Sequence, residues 1–421
     1  MTWTRGTNSR PHASFTAGQT DDRVAGVDGL RGAIAGFGSR VRAGDLGSLP
    51  VVVGLVLIAI IFQILNPNFL SANNLVNLTL QAAPIGVIAI GVVLVLLLGE
   101  LDLSVGSVSG LASAILGVCM VRLGWPIVVA ILVAIAAGAC IGLLYGFLFT
   151  RFGVPSFIIT LAGLLGFLGL QLALLGADGS INIPFSSWIV QFANTWFLPP
   201  WVAYVLVAIA AFGMLLRDLL TARRRARAGL QTGSISVTIV KVVALCVVLG
   251  LAAWYLSTDR GTGVMPVMFV LLVVLMSYVL RRTRWGRSIY AVGGNVEAAR
   301  RAGIRVRGIY VSVFVLCSTF AVLGGLFAAA RLGSATTSSG AADTNLNAIA
   351  AAVIGGTSLF GGRGGAWSAL LGVLVISAIA SGLTLLNLDA SVRYMVTGAV
   401  LLLAVIVDSL SRKSRASHGR G

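Results

Sequence analysis

A chain of 421 residues with 57% hydrophobic and only 10% charged side chains, at a mean hydropathy of +0.98, cannot cover itself with a water-compatible surface, because soluble domains carry about 25% charged residues. A soluble protein is excluded, and an integral membrane protein is expected. The formal charge of +17 does not point to nucleic acid, since its 28 Arg and 2 Lys are confined to gaps between apolar runs rather than interleaved with aromatics on a soluble domain.

Residues 1–48 are polar and Gly-rich, with six Arg and four Asp. An apolar core that starts only at Leu49 lies too far in for a cleaved signal peptide, so a disordered cytosolic tail is expected. Twelve apolar runs follow: Leu49–Leu65, Leu75–Leu98, Ser104–Val121, Pro126–Thr150, Ser156–Gly176, Pro199–Leu216, Ile235–Leu256, Val264–Leu280, Gly308–Ala330, Leu346–Leu359, Ala366–Leu386 and Val392–Leu410. Most approach the roughly 20 residues that cross about 30 Å of hydrocarbon. The expected fold is an all-α polytopic membrane protein of about 12 transmembrane helices over residues 49–410, closed by a cytosolic tail at 411–421.

Charge sets the orientation. If every run crosses and the N-terminus is inside, 26 of the 30 basic residues fall inside, counting Lys241 as snorkelling to the inner surface. Only Arg122, Arg260, Arg331 and Arg393 fall outside. Both termini are therefore expected in the cytoplasm.

The run Leu346–Leu359 has 14 residues, which reach about 21 Å as a helix, and it enters the Gly-rich stretch Gly355–Gly365. A broken or re-entrant helix is expected, and such breaks are tolerated at membrane depth only where they face protein or water. Gly106–Val118 also aligns without gaps on Gly361–Val373, with seven identities. Glycine-interrupted segments at corresponding places in two repeats point to a transporter's central site. On this span count the two repeats run parallel.

Three features bear on chemistry. First, Glu100 and Asp102, in Gly99-Glu100-Leu101-Asp102-Leu103-Ser104, have no Arg or Lys within ten residues. They suit a carboxylate cap on the helix that follows, the lining of a pathway, or a proton relay or acid–base pair. Second, the inside loop 281–307 holds Asn295 as an N-cap, Glu297 in the first turn, Arg300 and Arg301 in the last, and Gly303 at C′. This predicts a cytosolic helix of about seven residues, about 10 Å long. Ala298, Ala299 and Ala302 give it a small-residue face, which suits docking to another protein, as opposed to a solvated helix lying on anionic lipid. Third, neither lysine lies in a GxxxxGK[ST] phosphate loop, so any dependence on ATP must come from another chain by that route. The four Cys form no CxxC pair and both His lie in the tails, so no metal site or disulfide framework is expected.

Four ordered segments carry a resemblance. They are Gly99-Glu100-Leu101-Asp102-Leu103-Ser104-Val105-Gly106, then Val154-Pro155-Ser156-Phe157-Ile158-Ile159-Thr160-Leu161, then Trp285-Gly286-Arg287 through Gly303-Ile304, and Gly355-Gly356-Thr357-Ser358-Leu359-Phe360-Gly361-Gly362. Over about Leu49 to Asp408 the chain resembles the membrane permease subunit of bacterial ATP-binding-cassette importers for monosaccharides, the ribose/xylose/galactoside class. The extra spans around Arg217–Arg227 look like the longer, xylose-type permeases.

The resemblance implies a homodimer in the bacterial plasma (inner) membrane and no cofactor in this chain, with ATP and Mg held by a partner ATPase subunit. It also implies a periplasmic or lipid-anchored sugar-binding protein. Asn295, Glu297, Ala298, Ala299, Arg300, Ala302 and Gly303 would form the coupling helix that sits in the ATPase. Broken helices near Asp102 and Gly356 would switch between outward and inward openings. Glu100, Asp102, Ser104, Asn347, Thr357 and Ser358 are the expected pathway residues. The rival reading is a self-sufficient secondary transporter with Glu100 and Asp102 as proton carriers. A membrane enzyme would need a polar cluster at one membrane face, and the sequence offers neither a DxD motif nor a membrane-embedded His.

Overall fold

In hydrocarbon each backbone N–H and C=O must be satisfied within the chain, so long apolar runs fold as helices. The computed structural model describes residues 49–230 and 234–389, and beyond them 391, 392, 394–399, 402 and 406. The expected tails at 1–48 and 411–421 lie outside the described residues. The helices, in order, are α1 (Leu49–Leu65), α2 (Ala72–Leu97), α3 (Val105–Gly117, extended by a π turn over Val118–Arg122), α4 (Ile127–Phe152), α5 (Ser156–Leu175), α6 (Trp188–Asn194), α7 (Pro200–Arg227), α8 (Ile235–Leu256), α9 (Val264–Arg282), α10 (Arg284–Gly294), α11 (Val296–Arg301), α12 (Val306–Leu332), α13 (Ala342–Ile354) and α14 (Ala366–Leu385).

Among the described residues nine helices are long and apolar enough to cross a membrane, where about twelve are expected from sequence. The difference has three sources. The helix α1 is apolar but has 17 residues, the helix α13 has only 13, and the run at Val392–Leu410 lies largely outside the described residues. In addition, α7 continues to Arg227 instead of stopping at Leu216.

The chain divides into two units, Gly44–Tyr204 with Leu251–Gly421, and Met1–Ala43 with Val205–Gly250. In the larger unit α12 is central and packs on α2, α3, α4 and α6. Its approach to α4 needs glycine: a Cβ on Gly142 would collide with the Val315 backbone, and one on Gly146 would lie 2.7 Å from Val311 Cα. With Gly138 these form a small-residue stripe at i, i+4 and i+8, which lets two membrane helices pack backbone to backbone. Four strands of two or three residues tie loops together. The strand Ser180–Asn182 pairs antiparallel with Ser334–Thr336, and Phe197–Leu198 with Thr262–Gly263. In the smaller unit the described part of α7 ends in Arg223, Arg224, Arg225 and Arg227, and Arg217 pairs with Asp218 at 3.2 Å.

Candidate functional site

The first break in the helices lies between α2 and α3. The helix α2 ends in a Schellman turn: Gly99 (φ +79°) donates to Leu96 O and Glu100 N to Val95 O. The chain then leaves helical structure until Val105, and side chains hold it. Ser156 Oγ, at the first residue of α5, donates to Glu100 Oε2 at 2.6 Å, a favourable place for a carboxylate beside a helix N-terminus. Leu103 N donates to Thr160 Oγ1 at 3.1 Å, and Asn345 Nδ2 of α13 donates to Leu103 O at 2.8 Å.

Asp102 is only 2% exposed. Its Oδ1 accepts from Ser104 N at 2.8 Å and Ser104 Oγ at 2.7 Å, and Cys317 Sγ of α12 lies 3.6 Å from Oδ2. Tyr145 of α4 donates to Ser104 Oγ at 2.8 Å. This chain of groups connects α3, α4 and α12. The carboxylate cap that is one expectation for the acids does not form, since no side chain caps the first turn of α3. Asp102 captures the N–H of Ser104, the residue just before α3, in an Asx-type turn, while Glu100 binds α5 instead.

The second break follows α13. Gly356, Gly361, Gly362 and Gly364 all take positive φ, which side-chain-bearing residues adopt only with strain. Gly362 N donates to Leu97 O at 2.9 Å, and Phe360 O lies against Gly99. The two breaks therefore touch, and the two aligned repeat segments lead from this junction into α3 and α14.

Of the remaining expected pathway residues, Thr357 is buried and its hydroxyl has no hydrogen-bond partner among the described residues. Ser358 closes its own turn: its N–H donates to Arg363 O, and its Oγ accepts from Phe360 N. Asn347 is half-buried on α13, two positions from the more buried Asn345. Two polar residues went unread in the sequence, Asn345 and Gln171. Gln171 Nε2 donates to Thr336 O at 3.0 Å and Ser339 O at 2.9 Å, and the side-chain oxygens of both amides lack partners among the described residues. A lone Gln inside the apolar run Ser156–Gly176 was the signal available for Gln171.

The loop 281–307 forms two helices where one is expected. Thr283 caps α10 by accepting from Gly286 N, and Trp285 Nε1 donates to Ser312 Oγ of α12 at 2.8 Å. Tyr290 donates to Gly364 O at 2.9 Å. Burial pushes its phenol up, against a smaller opposite pull from Arg281, so it remains a donor. Asn295 then caps α11, accepting from Ala298 N at 2.9 Å. Gly303 (φ +79°) closes α11 with a second Schellman turn, through Ile304 N on Ala299 O and Gly303 N on Arg300 O. Glu297 and Arg300 form an exposed ion pair at 2.7 Å. Ala298, Ala302 and Gly303 are exposed, whereas Ala299 is buried within the chain. The small-residue face of α11 thus lacks one of its three expected alanines.

A family profile described as the permease component of the branched-chain amino acid transport system matches residues 74–405. The chain belongs to this permease family. Its members are membrane-spanning subunits that catalyse no reaction. The xylose transport system permease protein XylH of Escherichia coli K12 is 36% identical over 346 residues, 82% of this chain and 87% of that protein. The ribose import permease protein RbsC of the same organism is 34% identical over 84% of this chain and 91% of its own length. The fructose import permease protein FrcC of Rhizobium meliloti is 31% identical over 88% and 87%. No solved structure matches. Among the described residues no three His, Cys, Asp or Glu side chains gather as a metal site.

Proposed function

We propose that this permease moves a monosaccharide, a pentose such as xylose, into a bacterium through the plasma membrane, powered by a separate ATP-binding-cassette ATPase and fed by a sugar-binding protein outside. The observation that carries this reading is the 36% identity to the xylose permease over 87% of that protein's length. The chain would act as a homodimer with both termini in the cytoplasm. In this reading α11 is the coupling helix. Its exposed edge of Ala298, Ala302 and Gly303 would enter the ATPase, with Asn295, Glu297 and Arg300 holding the helix together.

The sugar path would run past the two breaks. A neutral polyol needs hydrogen-bonding groups and no fixed charge. Thr357 Oγ1 and the free amide oxygens of Asn345 and Gln171 are buried groups of that kind, and Asp102, Ser104, Asn347 and Ser358 lie along the same segments. Glu100 is bound to α5 at the rim. The alternative of a proton-coupled carrier rests on Asp102, a buried carboxylate whose contacts are Ser104 and Cys317.

The test is co-purification with the ATPase encoded beside the gene, together with uptake of labelled sugars. Ala298→Glu with Gly303→Arg should abolish both, whereas retention of ATPase binding and uptake in that variant would refute the coupling assignment. Ala299 is unsuitable for this purpose because a charge there disrupts the chain's own packing.

A further inference from the structure

Three backbones meet with no side chain between them at the end of α10. A Cβ on Gly293 would collide with Leu97 O and would lie 2.9 Å from Gly362 N. One on Gly361 would lie 2.7 Å from Gly293 O and 3.0 Å from Gly99 N, and one on Gly362 would lie 3.2 Å from Gly294 Cα. Leu97 O is among the last carbonyls of α2, which have no partner inside the helix, and Gly362 N supplies one at 2.9 Å. One turn earlier on α10, Tyr290 reaches the same loop through Gly364 O.

The other end of α10 is equally tight. A Cβ on Gly286 would collide with the Leu280 backbone, and Trp285 is tied to Ser312. α10 runs directly into α11 through the single extended residue Asn295. A backbone-to-backbone contact has no side chain to absorb a displacement. A shift of α10 must therefore either carry with it both breaks, themselves joined by the Gly362–Leu97 hydrogen bond, or open the glycine contact and break the Tyr290–Gly364 hydrogen bond.

We infer that α10 is the lever that moves the two helix breaks as one unit, with Gly293, Gly362 and Tyr290 as its positioning residues at the Leu97 carbonyl. This rests on the proposed function for the source of the motion, an ATPase acting on α11. The junction itself stands on geometry alone. Gly294 supplies an internal control, since a Cβ there meets nothing within 4 Å.

The experiment has two arms. In the first, amide hydrogen exchange is followed on the detergent-purified full chain and on its Tyr290→Phe, Gly293→Ala and Gly294→Ala variants. Losing one hydrogen bond should raise local opening about fivefold. With Tyr290→Phe the rise should appear together in peptides covering 97–104 and 355–365, and Gly294→Ala should match wild type. A rise confined to 355–365, or no rise, overturns the inference. Tyr290→Phe keeps this arm decisive even if Gly293→Ala fails to fold.

In the second arm the variants are reconstituted with ATPase and binding protein. Tyr290→Phe should keep ATPase binding and hydrolysis while sugar moved per ATP falls at least about fivefold. An unchanged ratio contradicts the lever. Failure of the wild-type chain to bind the ATPase at all would instead refute the proposed function, leaving the first arm to decide the junction.

Discussion

The two breaks touch one another, yet they are built by opposite means. The break at 98–104 is held by side chains: Glu100 on Ser156, Asp102 on Ser104, Leu103 between Thr160 and Asn345. The break at 355–365 is held largely by backbone, with four glycines at positive φ and its contacts made to Leu97, Gly99 and Gly293. Its arms are packed just as tightly, since a Cβ on Gly355 would collide with Ser368 O and one on Gly372 with Ala351 O. One break is anchored in specific polar contacts, and the other is a glycine hinge between two helices locked together. One break is thus fixed by hydrogen-bonding side chains and the other by the conformation of its glycines.

The sharpest challenge to that contrast is Asp102→Leu. It strands the Ser104 N–H and hydroxyl proton in a buried place, so thermal unfolding should register a loss of about 3 kcal/mol. Asp102→Asn keeps an acceptor and should lose clearly less; a loss under about 1 kcal/mol for Asp102→Leu would mean that the carboxylate does not anchor the break. In the second break, Gly355→Ala should cost about 2 kcal/mol by overpacking against Ser368. Gly356→Ala, which meets no neighbour but sits at φ +101°, should cost only about 1 kcal/mol from backbone strain. Reversal of that order would show that space, not backbone conformation, is unimportant there. The smallest stability effect is expected for Ala298→Glu, within about 0.5 kcal/mol as for other exposed positions. Ala299→Glu, which buries a charge, should unfold the loop region in the same melting assay.

Much of this architecture is readable in the residues themselves. Short apolar length beside Gly355–Gly365 marks the broken helix, and Asn295 with Gly303 marks the ends of α11. The helix α10 is harder to see, because Gly293 and Gly294 look like loop residues. Its stripe of Trp285, Ile289 and Val292 at helical spacing was the usable sign. Asn345 and Gln171 escaped because their partners, Leu103, Thr336 and Ser339, lie 165 to 242 residues away in sequence. Spacing along one helix cannot show which distant carbonyl it will face. The inward turn of Ala299 has the same cause, since six residues of helix carry no periodicity that separates a docking face from a packed one.

As proposed above, this chain would be a passive conduit whose energy comes from another chain. The most direct measurement is uptake of labelled pentose into proteoliposomes containing the permease alone or with its ATPase and binding protein, under ATP or under an imposed proton gradient. Uptake is expected only when the ATPase, the binding protein and ATP are all present. Gradient-driven uptake by the permease alone, abolished by Asp102→Asn, would contradict it and establish a proton-coupled carrier.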